Sequence, residues 1–103
     1  MRVCNVAEIE IDQHGRLLVL PAGIDPGRQF IYRTASGIRW EESSNAFVAA
    51  APENWEHGKF LAHLLHEVRG ELGESLRITD QTRWVNLAPE IRRALSTIFR
   101  EQD

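Results

Sequence analysis

A few histidines and one cysteine are the side chains of this sequence best suited to direct chemistry. His63 and His66 stand three apart, with Glu67 beside them. Residues at that spacing share a helix face, and two such histidines can chelate zinc. A zinc site needs a third ligand, and no second His or Cys pair stands out. At about 100° per residue, both also fall opposite the Leu61, Leu65 and Val68 stripe. That places them beside Lys59 and Gly70 on the solvated side, and no metal is expected. His57 differs. On a helix that includes it, it falls inside the apolar stripe beside Trp55, where an imidazole can donate to a ligand or act as a base. The plainer reading is an imidazole bonded to a loop carbonyl. Cys4 has no nucleophile spacing to His14 or His57 and reads as a small buried hydrophobe.

Aromatic and arginine side chains form the second constellation. In QFIYRTASGIRWEE, residues 29–42, they alternate around a Ser36-Gly37 turn signal. The pattern predicts a hairpin with a recognition face. Trp40 shares a strand face with Ile38, and Arg39 takes the other. Trp55 precedes a helix, and Trp84 follows Arg83 between two helices; loops at such boundaries commonly carry sites. Each tryptophan has a plain reading as core. The functional reading is a pocket or interface of Tyr32, Arg39, Trp40, Trp55, His57, Arg83 and Trp84, with Arg33 a further candidate for an anionic group. Trp, Tyr and Arg are the types enriched at binding hot spots. Glu41 and Glu42 are adjacent, so on a strand they face opposite ways and cannot share a proton. No phosphate loop, dinucleotide fingerprint or nucleophile elbow occurs, and no cofactor is called for.

These residues are held by a chain of 103 residues, long enough for one domain over 1–103. Its net charge of −3 provides no basic field for a nucleic-acid backbone. Eleven arginines against one lysine read first as base composition. No apolar run is long enough to span a membrane. The N-terminus is acidic where a signal peptide is apolar, and a single cysteine suits a reducing cytoplasm.

Periodicity divides the chain. Ala7, Ile9 and Ile11 alternate as the buried side of a strand over 6–12. Strands are also predicted over 16–20, 29–34 and 38–42, with a short one over 47–50. Leu61, Leu64, Leu65, Val68 and Leu72 then make one helical stripe, with Asn54 as N-cap or a start near Gly58, and Gly73 past its end. A short strand over 76–79, another at Trp84-Val85, and a helix opened by Pro89 follow. That helix has Ile91, Ala94, Leu95, Ile98 and Phe99 on its core face. The fold class is α+β: an antiparallel meander of four to five strands, two helices on one face, and a short strand between the helices.

Gly15-Arg16-Leu17, IYRTASGIRW over 31–40, Trp55 before a helix, and Thr82-Arg83-Trp84 together resemble a family of small bacterial proteins found among integron gene-cassette proteins. The resemblance implies an α+β fold, homo-oligomerisation and small-molecule pockets. It supplies no catalytic residue. Two function classes follow. One is a cytoplasmic homo-oligomeric binding module for a small molecule or protein partner; a variant is an immunity-type inhibitor of a toxin using Glu41, Glu42, Glu53 and Glu56. The other is a small enzyme with His57 as general base. The module is preferred, because an enzyme site gathers several titratable groups and this chain offers one candidate.

Overall fold

Asp12 closes the first turn of the computed structural model, which describes residues 1–102. Its carboxylate accepts from the backbone N–H groups of His14 and Arg16, each at 2.9 Å. The turn joins β1 (Arg2–Ile11) to β2 (Leu17–Pro21) as an antiparallel pair. Alternation put Ala7, Ile9 and Ile11 on the buried side. The ladder instead shifts register between Val6 and Glu8. An extra residue there turns the face over, so Val6 and Ile9 are buried and Ala7 only half so. β2 is covered on both sides. Leu17 and Val19 enter the main core, while Leu18 joins Ala46 and Val48 in a smaller cluster.

The strand expected over 29–34 is a 3-10 helix, Pro26–Arg33. Asp25 caps it, accepting from the Gly27 N–H, and Pro26 opens it. Arg28 and Ile31 are its buried residues; three apart, they share one side of a 3-10 turn. Short alternation supports either reading, and the cap decides between them. The expected hairpin around Ser36-Gly37 is therefore a helix-to-strand turn. Gly37, at φ 80, leads into β3 (Ile38–Glu41). The hairpin lies one step later, where β3 pairs antiparallel with β4 (Ala46–Ala49). β4 lies beside β2, so the sheet runs β3-β4-β2-β1 in that part.

α1 (His57–Glu67) buries Phe60, Leu61, Leu64 and Leu65. A π-helical turn, Val68–Leu72, carries it to Gly73, a left-handed cap whose N–H donates to the Val68 carbonyl. Asn54 is not the N-cap; it ends a separate 3-10 turn, Pro52–Asn54. Gly58 has a packing role, since a Cβ there would lie 3.2 Å from Ile98 Cδ1. Two short strands, β5 (Glu74–Arg77) and β6 (Arg83–Val85), both pair parallel to β1. α2 (Pro89–Glu101) buries Leu95, Ser96 and Phe99, while Ala94, expected in its core face, is exposed. The fold is α+β. The apolar faces of both helices meet Ile9, Val19, Phe47 and Leu76 in one core. Among the described residues no helix is long and apolar enough to cross a membrane.

Candidate functional site

The loop after β2 and the tip of the β3–β4 hairpin face each other across a groove of about 700 Å³. Sequence chemistry shapes both walls. Beyond Pro21 the chain stays tied to β1, with the Ala22 N–H donating to the Asn5 carbonyl at 2.8 Å. Asp25 then starts the 3-10 helix and turns Arg28 inward. On the opposite wall Trp40 and Glu42 are two apart, the spacing that keeps side chains on one side of a strand. Asn45, at φ 53, closes the tip. The lining includes Arg28, Gln29, Trp40, Glu42 and Asn45. The indole is half-buried and held edge-on by Phe47, centroids 5.0 Å apart.

Arg28 is only 4% exposed and sits in a chain of alternating charge. It donates to the carbonyls of Gly23 (3.0 Å) and Ala22 (3.3 Å), to Cys4 Sγ (3.2 Å) and to Glu74 Oε1 (3.3 Å). Glu74, 2% exposed, also faces Arg2 at 3.4 Å, and Arg2 reaches Asp25 at 2.8 Å. The Gly27 N–H and the Arg2 guanidinium hold the Asp25 carboxyl below its usual range. Two buried atoms of the central pair, Arg28 Nε and Glu74 Oε2, have no partner. Burial pushes the Cys4 thiol up against the pull of Arg28, and the protonated thiol lies 3.5 Å from the Ala22 carbonyl as its donor. That state is a poor nucleophile.

The residues singled out from sequence lie in several places. Trp40 alone of them lines the groove. Tyr32 is 58% exposed, under the guanidinium of Arg33, which also covers Phe30. Arg39 pairs with Glu41 at 3.4 Å, and Arg83 with Glu8 at 3.0 Å. Trp84 is half-buried with Arg92 over its ring at 5.1 Å. His57 is half-buried at the head of α1, outside the groove lining.

Trp55 stacks on His63, centroids 5.1 Å apart, and packs against Phe60. His63 was expected in solvent. It is half-buried, with Nε2 2.6 Å from the Ser36 carbonyl. The segment before α1 folds over that flank of the helix, which periodicity cannot register. No cluster of metal-ligating side chains occurs among the described residues. A second hollow, about 650 Å³, opens between α1 and α2; none of the Trp, Tyr or Arg residues expected at a site lines it.

Sequence reasoning missed Arg28, Gln29 and Asn45, and read Glu42 only as an acidic surface. Its available signal was Asp25-Pro26-Gly27, a cap followed by Pro at the first helical position. Once that start is seen, the period of three places Arg28 with Ile31 on the buried side.

Comparison with known proteins gives two matches. A family model described as Integron Cassette Protein Hfx_Cass5 matches residues 4–82. A solved structure from the mobile metagenome of the North West Arm sewage outfall, Integron Cassette Protein Hfx_Cass5, is 32% identical to this chain. The match covers 97% of this chain and 98% of that one, with a TM-score of 0.45. No curated protein matches.

Proposed function

We propose, from the premise that the chain belongs to the Hfx_Cass5 family of integron cassette proteins, that it is a self-associating binding module whose ligand site is the Trp40 groove. One observation carries this reading. The groove combines a half-exposed indole with side chains that have no internal partner. Among the described residues, the exposed side chains of Gln29, Glu42 and Asn45 make no hydrogen bond or ion pair to the protein. A mostly rigid hollow with a few convergent polar groups is the usual form of a small-molecule site.

Self-association is supported by a second feature. Met1, Val3 and Ile24 are exposed apolar side chains near the end of the sheet where Arg2 reaches Asp25. Ile24 is 99% exposed. Exposed Phe30 and Tyr32 follow on the 3-10 helix. A second copy covering this end would remove the largest of these side chains from water.

Light scattering over a concentration series, with tryptophan emission read against a metabolite panel, tests both parts. The expected mass exceeds the 11.8 kDa of one chain and falls toward it in Ile24→Glu. At least one ligand class should shift the emission in wild type and not in Trp40→Phe. A monomer at every concentration, with emission indifferent to the panel, refutes the reading.

A further inference from the structure

We infer that the ligand of the Trp40 groove is a small organic cation; this deepens the binding reading above and rests on it. The charges around the groove decide its sign. Arg28 and Arg2 are matched by Glu74 and Asp25 through direct contacts. Glu41 is taken by Arg16 at 2.8 Å and by Arg39 at 3.4 Å. Glu42 remains. It lines the groove, is exposed, and has no cationic partner among the described residues. The lining is therefore left with one uncompensated negative charge, and a cation complements it.

Trp40 sits on the same wall, two residues before Glu42, with its ring fixed by Phe47. An indole face attracts a cation through its quadrupole, and a carboxylate beside it adds a direct charge contact. Arg28 also lines the groove, but its charge is matched by Glu74. Gln29 and Asn45 supply amide groups to the lining.

Three probes at constant ionic strength test this by calorimetry and tryptophan emission: tetramethylammonium, glycine betaine and acetate. Tetramethylammonium presents the cation alone, betaine the cation with an acceptor, and acetate the acceptor alone. Tetramethylammonium and betaine are both expected to bind, and acetate not at all. Glu42→Gln, a change at an exposed position, should weaken both cations about tenfold without altering the fold, and Trp40→Leu should do the same. If acetate binds and the cations do not, or if Glu42→Gln binds them unchanged, the cation assignment is wrong while a binding groove stands. If no probe binds and the metabolite panel also leaves the emission unmoved, the assignment falls together with the reading beneath it.

Discussion

Replacing Glu74 by Gln removes the one carboxylate, among the described residues, that contacts the Arg28 guanidinium. Both groups are nearly inaccessible, so water cannot screen the charge left behind. Removing one partner of a buried ion pair costs about 3–5 kcal/mol. Arg28 keeps the Gly23 and Ala22 carbonyls, which puts the expected loss near the lower figure. The Arg2 contact adds little, because that side chain is largely in solvent. A chain of 103 residues has about 5–15 kcal/mol of stability in all. With a urea slope of about 1–1.5 kcal/mol per molar, the midpoint should fall by about 2–3 M.

The double change Arg28→Met with Glu74→Leu has the opposite expectation. The pair meets through one oxygen at 3.3 Å, and each side leaves an atom unpartnered. Such geometry does not offset desolvation of two charges, so the double variant should match wild type or exceed it by about 1–3 kcal/mol. Urea melts of wild type, Arg28→Met, Glu74→Leu and the double variant, followed by circular dichroism, read the cycle directly. A double variant as unstable as the sum of the single ones would show no coupling between the two side chains and refute the reasoning.

Gly37→Ala forces a positive φ on an L residue and sets its Cβ 3.2 Å from Trp55 Cζ2. A loss of about 2 kcal/mol, near 10 °C in melting temperature, is expected together with altered tryptophan emission. Gly23→Ala, also at positive φ but with open space around it, should lower stability less and leave emission unchanged. For acid, the relevant groups are Asp12, Asp25 and Glu41. Burial alone would raise Asp12, but the Arg16 N–H, the Arg16 guanidinium and the His14 N–H outweigh it and lower it. Arg16 and Ser44 lower Glu41, and Gly27 and Arg2 lower Asp25. Depressed carboxyls contribute stability that is complete above the unfolded range of about pH 4 and is lost as pH falls through their lower folded values. Melts should therefore be level from pH 7 to 5 and decline below about 4.5, with a shallower decline in Arg16→Gln. An unchanged acid limb in that variant would remove Arg16 from the account.

Where a segment's neighbours are local, the sequence is readable. The Leu61, Leu64, Leu65 and Val68 stripe, Gly73 beyond it, and Pro89 at the head of α2 all express contacts within a few residues, and each lies as expected. Arg28 shows why the site was harder to read. Its inward turn depends on a cap at Asp25, its partner Glu74 is far away in sequence, and β5 carries Glu74 there only by pairing parallel to β1. The same non-local pairing places Val3 against Ser75 and runs both short strands parallel to β1, where an antiparallel meander was expected. The bulge at Val6 is equally invisible to strict alternation, yet it sets which side of β1 enters the core. Trp40 had a core reading and a site reading in sequence; it packs on Phe47 and also lines the groove. A buried pair with two unpartnered atoms contributes little to holding the fold.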